Sequence, residues 1–496
     1  MSRFLYISSL LMMLIATGCR VQQGEMYTDY FPPAGADSAE FYQGRRIHDF
    51  VASLAPHTFN GSLIVEKEEE TLLREGYGYA SWIEQEAFRP QTISHTGSFA
   101  QQLTAAAILK LAAKEKLALT DPLLKFFKDL PEEKSEITLD QLLRHTAGLP
   151  QDIAAAERQL TKEEFLEALW QQPLVAPAGA QYQYSEAGYR LLAAVVEKVS
   201  RKSYESYIQQ ELLKPAGLKM TGYVLPDFGQ QKKAGALGDV LSEEEALPDY
   251  KKMAPALWHI MGSSGVLSTV EEMHLWQKEL LEGKLLPADF RQRIWTAREG
   301  VPEGASAYGW VLGKSAGGKP VLLHNSGQGS YVSQLYANPE EEIFMSLLAN
   351  KSNYQVERLS GQLARSLMVP SYSPTPTPAR EQKFVRLPHG EEAAQLRTLV
   401  EFAREEKGVE PVELINQTYS PAFQQSVQQQ QHVRALGSLR AYLQGASLEK
   451  VNRVGRLYSL MLHQPKDDVW YLLRVEVEPL APHLINSIEL EATNPL

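Results

Sequence analysis

The stretch Ser371–Pro378, SYSPTPTP, limits the fold more than any other part of the sequence. Its alternating prolines fix φ and remove backbone donors, so it belongs neither in a helix interior nor in a central strand. Such a segment reads as an extended, semi-rigid linker. It divides the 496 residues into a long region ending at about 369 and a short one starting at about 383. The 44% apolar content suits globular domains in both.

In the long region, strand-like runs come first and last with helices between. Gly61–Val65 and Gly76–Ala80 flank the charged turn Glu66–Thr71 and predict a hairpin. Ala100–Lys116, AQQLTAAAILKLAAKEK, predicts a largely buried helix, with Leu103, Ala107 and Leu111 on one face. Tyr189–Val199 and Glu271–Leu281 predict further helices. Pro320–His324, Ser333–Tyr336 and Ile343–Leu348 read as strands, and Gln355–Leu367 as a closing helix. This order implies an α+β domain over 46–369 whose two ends share one sheet. In the short region, Glu391–Glu406 reads as an amphipathic helix and Gln428–Gln431 lies in another helical stretch. Tyr458–Leu462 and Trp470–Val477 read as strands, so 383–496 is expected to form a small, separate α+β domain.

The start of the chain carries an address. One charge, Arg3, precedes the apolar run Phe4–Ala16, and small residues lead to Cys19, after which the sequence turns polar. That is the pattern of a secretory signal; the run is shorter than the roughly 20 apolar residues of a membrane span. The small-residue site ending on cysteine resembles the lipobox of bacterial lipoproteins, with Ala16 where that motif prefers leucine. The expectation is a lipoprotein signal over 1–18, lipidation at Cys19, a polar tether over 19–45 and a linker over 370–382. The protein would then be exported and lipid-anchored in the bacterial cell envelope, in the periplasm or on the outer surface. Cys19 is the only cysteine, so no intramolecular disulfide can form. A net charge of −11 argues against nucleic acid as a partner. The scattered histidines show no metal-binding spacing, and neither metal nor cofactor is implied.

Three places carry residues suited to chemistry. Ser98 sits just before the Ala/Leu-rich helix. It reads either as a helix N-cap or as a nucleophile placed where helix N–H groups stabilise developing negative charge. One turn on is Gln101, a neutral amide that cannot accept a proton. Tyr184 lies in a loop before a helix, with Glu186 two residues on. It reads as a packing residue, or as a base if its pKa of about 10 is pulled towards neutral. His324 ends a strand before the turn NSGQGS.

Together these features resemble the serine β-lactamase and penicillin-binding-protein superfamily, closest to its class C and esterase-like branch. The resemblance runs from about Phe59 to about Asn350 and includes ITLDQLLRHTAGLP at Ile137–Pro150, the segment Tyr182–Ser200, Gly262–Leu286 and YGW at Tyr308. It implies the β-lactamase/transpeptidase-like fold, an antiparallel sheet flanked by helices with a helical subdomain. The C-terminal region resembles the small α+β domain, of cystatin or nuclear-transport-factor shape, appended to some hydrolases of this superfamily. No catalytic residue is implied there, and Trp470 and Tyr471 read as core.

The resemblance assigns the nucleophile to Ser98 and catalytic positions to Tyr184 and His324. The backbone N–H groups of Ser98 and Gly327 would form the oxyanion hole. All three family elements depart from pattern: Gln101 replaces the base lysine, Glu186 the asparagine and Ser326 the strand glycine. Losing the lysine and gaining a carboxylate would raise the Tyr184 pKa. The expectation is an impaired serine hydrolase-like domain that binds a peptidoglycan-type peptide, a small ester or amide, or an envelope partner. One alternative is an atypical esterase or peptidase in which Glu186 or His324 activates Ser98. Another makes the C-terminal domain the working module. The contacts of the Ser98 hydroxyl separate the first two: Glu186 or His324 for the enzyme, Gln101 and Tyr184 for the binder.

Overall fold

The computed structural model describes residues 38–369, Leu387 and 393–493, apart from 56–58, 82, 85, 154–158, 230, 238–243, 254–255, 297–299, 303, 316, 353, 406–409, 427–428, 455–456, 467 and 479–483. The signal segment, Cys19 and the proline-rich linker lie outside the described residues. Helix α1 (Ser38–Ala52) begins inside the stretch expected to be tether. Its Ile47, Phe50 and Val51 recur at helical spacing and are buried against the sheet, which is why the helix forms there.

Strands β1 (Gly61–Lys67) and β2 (Glu70–Tyr77) form the expected hairpin. Its turn is tighter than the sequence suggests: Glu68 and Glu69 alone carry the reversal, with φ of 53° and 65°. Positive φ at both turn positions matches the twist of the flanking strands. Late in the region come β3 (Ser306–Ala307), β4 (Trp310–Lys314), β5 (Pro320–Gln328), β6 (Tyr331–Asn338) and β7 (Ile343–Ala349). They join the hairpin in one seven-stranded antiparallel sheet, order β2-β1-β7-β6-β5-β4-β3. Gly61 lies opposite Ala349, so the first and last strands are neighbours.

The two-residue period of the strands sorts their side chains onto two cores. Leu63, Val65, Met345 and Leu347 pack with α1 and the closing helix Tyr354–Met368. Ile64, Leu322, Phe344 and Leu348 face the helical half of the region. There helix α2 (Ala100–Ala113) buries 11 of its 14 residues, so it is apolar on every side and becomes the central helix. Helix α3 (Glu186–Ser200) packs on α2, and α4 (Val270–Leu281) packs across the sheet.

Residues 393–493 have a core of their own. Strands β8 (Ser447–Val454), β9 (Leu457–Gln464), β10 (Val469–Val477) and β11 (Ile485–Thr493) form an antiparallel sheet in that order. Helices α5 (Ala394–Arg404) and α6 (Gln429–Leu443) pack together in the same core. Tyr471 is buried, and Trp470 stacks on His463 with ring centroids 4.6 Å apart.

Candidate functional site

Ser98 lies in a single tight turn, Gly97–Phe99, that runs directly into α2. The approach is fixed from both sides. The Thr96 hydroxyl donates to the Val266 carbonyl at 2.6 Å, and the Thr96 carbonyl accepts from the Ser333 hydroxyl at 2.8 Å. Gly97 has φ of 56°, and a Cβ there would collide with the Ser326 hydroxyl, so both its conformation and its space require glycine. Gln101 follows one turn later on the same helix face and is buried.

Tyr184 arrives on the loop before α3. Ser185 caps that helix, accepting from the Gly188 N–H at 3.0 Å and donating to the Pro150 carbonyl at 2.6 Å. The Ser185 N–H donates to Nδ1 of buried His145 at 3.0 Å. The His145 ring lies 4.6 Å from the ring of Tyr184 and 4.9 Å from that of Tyr189. Burial lowers the His145 pKa to about 3, so it supports the tyrosine as a neutral ring.

The Gln101 Nε2 donates to the Tyr184 phenol oxygen at 2.6 Å, and the Ser98 hydroxyl is also hydrogen-bonded to that phenol. Burial, then the charge of Glu186, raises the Tyr184 pKa well above its ordinary value; the hydrogen bonds with Gln101 and Ser98 oppose this without reversing it. The direction follows the sequence expectation, and burial is its largest cause. A neutral phenol whose oxygen already accepts from an amide is a poor base near neutral pH.

Glu186 does not reach Ser98 by any described hydrogen bond. It points along α3 to Arg190, whose Nη2 it meets at 3.2 Å. Arg190 is itself buried and held by Asp152 through paired contacts of 2.7 and 2.9 Å. Two carboxylates on one guanidinium leave this corner short of positive charge. Burial raises the Glu186 pKa, with Arg190 opposing. The described hydrogen bond of Glu186 thus runs along α3 to Arg190 rather than to Ser98, where the sequence expectation placed it as an alternative base.

His324 faces the site side of the sheet, as its place on β5 two residues before Ser326 requires. It is sunk beneath Phe99, with ring centroids 6.2 Å apart, and hydrogen-bonded to the Gly309 backbone. Its Nε2 is buried with no partner among the described residues, and burial lowers its pKa to about 4. The ring is neutral and packs beneath the site; it has no described bond to Ser98.

Ser326 is the contact that motif reading did not foresee. Its Oγ accepts from the Ser98 N–H at 2.6 Å and from the Ser98 hydroxyl at 3.0 Å. The Ser98 half of the expected oxyanion hole is thus already bonded, while Gly327 lies exposed beside it. His145, Asp152 and Arg190 were also missed as supports. His145 was visible only as part of the ITLDQLLRHTAGLP marker, and a neutral packing histidine leaves no chemical pattern in sequence. Among the described residues, no three His, Cys, Asp or Glu side chains group as a metal site would need.

The arrangement holds Ser98 at the start of a buried central helix, Tyr184 over it, and the β5 edge alongside. Comparison with known proteins agrees with this layout. The family described as Beta-lactamase matches residues 49–367. PbpX of Bacillus subtilis (strain 168), named as a penicillin-binding protein, is 28% identical over 255 residues, which are 51% of this chain and 61% of PbpX. Protein flp of Staphylococcus aureus (strain NCTC 8325) is 25% identical over 318 residues, 61% of this chain and 62% of flp. The chain thus spans less than two thirds of either relative. Among solved structures, the octameric penicillin-binding protein homologue from Pyrococcus abyssi is similar with a TM-score of 0.59 and 19% identity, covering 90% of this chain and 95% of that one. A D-amino acid amidase from Ochrobactrum anthropi, complexed with D-phenylalanine, gives 0.56 at 17% identity, covering 67% and 98%. With the family model matched over residues 49–367, well more than half of the chain, and the Ser98 turn, the Tyr184 loop and strand β5 brought together, the chain belongs to the beta-lactamase family.

Proposed function

We propose that this protein is an envelope lipoprotein whose beta-lactamase-family domain binds its ligand without cleaving it. The observation that carries the reading is the Gln101 amide on the Tyr184 phenol, in the place where a proton-accepting or cationic group would be needed. With Tyr184 held neutral and neither Glu186 nor His324 bonded to Ser98, the serine hydroxyl has no group to take its proton. Losing such assistance slows acyl transfer by about 10²–10⁴-fold. The ligand we favour is a peptidoglycan-type peptide, in keeping with relatives named for penicillin binding and a similar fold complexed with a D-amino acid. The lipid on Cys19 would hold the domain close to the wall, where a raised local concentration helps a weak binder.

Incubating the purified mature chain with a fluorescent penicillin and with a fluorophosphonate probe tests the reading. No adduct should form at Ser98. Stoichiometric labelling that disappears in Ser98→Ala would overturn it. Anchoring is checked separately: Cys19→Ser should move the protein from the membrane pellet to the soluble fraction, and an unchanged distribution would refute the lipid anchor.

A further inference from the structure

The two hydrogen bonds into Ser326 place a side-chain oxygen where acyl transfer needs an empty position. A tetrahedral adduct on Ser98 is stabilised by N–H groups aimed at its negative oxygen, and the Ser98 N–H is one of the pair. Here that N–H already donates to Ser326 Oγ at 2.6 Å, and the Ser98 hydroxyl donates to the same oxygen at 3.0 Å. The hydroxyl is seated firmly, because it fills the space a Cβ would take at Gly97 and Gly97 is held at positive φ. The strand pleat keeps the Ser326 side chain on the site face, along with His324.

We propose that Ser326 is a resident occupant of the oxyanion hole and sets the ligand class of the site. It turns away carbonyl and other electrophiles that need the Ser98 N–H. It admits ligands that bind through neutral hydroxyl and amide contacts without placing an oxygen in the hole. This rests on the binding reading above, and adds that removing the base is not the only barrier to chemistry at Ser98.

Phenylboronic acid is the probe, because its addition needs neither a leaving group nor an acyl-transfer base. The Ser98 Oγ–B bond forms, boron becomes tetrahedral and anionic with one oxygen in the hole, and the serine proton passes to water. Boron-11 NMR on the full mature chain follows the tetrahedral species. Ser326→Gly and Ser326→Ala both remove the hydroxyl, and the alanine variant keeps a β-carbon on the strand. At least tenfold tighter tetrahedral binding than wild type is expected in either variant, abolished when Ser98→Ala is added. No gain in both variants, or a gain that survives Ser98→Ala, overturns the proposal. Penicillin labelling of wild-type Ser98 would instead overturn the binding reading, so the two failures are distinguishable.

Discussion

Two polar clusters lie on the same face of the seven-stranded sheet, and they are built from opposite materials. Under α4, Glu66 meets His274 at 3.1 Å and pairs with Lys278, while Gln277 donates to Ser346 at 2.8 Å. Burial pushes the Glu66 carboxyl up, but the bonds from His274 and Lys278 outweigh it and leave its pKa below the ordinary value. At the start of α2, by contrast, Ser98, Gln101, Tyr184 and Ser326 satisfy one another with hydroxyl and amide groups alone. The fold can therefore bury a charged set of groups against this sheet. The neutral character of the Ser98 cluster comes from the residues in it, not from a scaffold that forbids charge there. Buried polar groups bonded only to each other give rigidity and selectivity, without the field that general-base chemistry needs.

Acid should separate the two clusters most strongly. His95, His145 and His324 surround the Ser98 site, and burial lowers their pKa values to about 4, 3 and 4. The unfolded chain holds these groups near 6.5. Below that pH it binds protons that the folded state refuses, so folding stability is complete above pH 6.5 and falls as pH drops towards 4. Each histidine accounts for roughly 3 kcal/mol across that window. Urea unfolding at pH 7 and pH 4.5 should show a loss of several kcal/mol in wild type and a smaller loss in His324→Gln. Equal losses in the two proteins would show that His324 titrates normally.

Next in size is the charged cluster itself. Glu66→Ala leaves His274 without its carboxylate and Lys278 half-buried without a counter-charge. Breaking such a pair from one side costs about 3 kcal/mol, read from the urea midpoint at pH 7. A change below about 1 kcal/mol would mean that Lys278 escapes to water, and the contrast between the clusters would lose its energetic basis.

Much of this was legible in the sequence, and the misses have physical causes. The hairpin, the central helix and the pairing of first and last strands follow from residue periodicity that the core enforces. Helix α1 overlaps the stretch expected to be tether because Gln43, Gly44, Arg45 and Arg46 separate its early Phe41 and Tyr42 from the regular apolar spacing that starts at Ile47. The outer strands β8 and β11 were missed because SLEKVNRV and INSIELEAT carry polar residues that mask any apolar run. At the site, the identities of Gln101, Tyr184 and Glu186 were enough to foresee a raised Tyr184 pKa. Where Glu186 and His324 point was not. Glu186 is captured by Arg190 four residues along its helix, yet Arg190 is placed by Asp152 from a distant loop. The bond from the Ser98 N–H to Ser326 spans 228 positions and depends on Gly97 leaving room for the Ser326 hydroxyl, a contact that only folding creates.

The smallest effect probes the neutral cluster from within. Tyr184→Phe removes the acceptor of the Gln101 amide and leaves that buried donor unpaired, whereas Ser98→Ala leaves the Gln101–Tyr184 bond in place. An unsatisfied buried amide costs about 1–3 kcal/mol, and loss of the hydrogen bond made by the partly buried Ser98 hydroxyl about 0.5–1 kcal/mol. Tyr184→Phe should therefore lower the urea stability clearly more than Ser98→Ala. If Ser98→Ala proves the more damaging to stability, the hydroxyl of Ser98 is holding the site together through Ser326. The neutral network would then centre on the strand edge instead of the tyrosine.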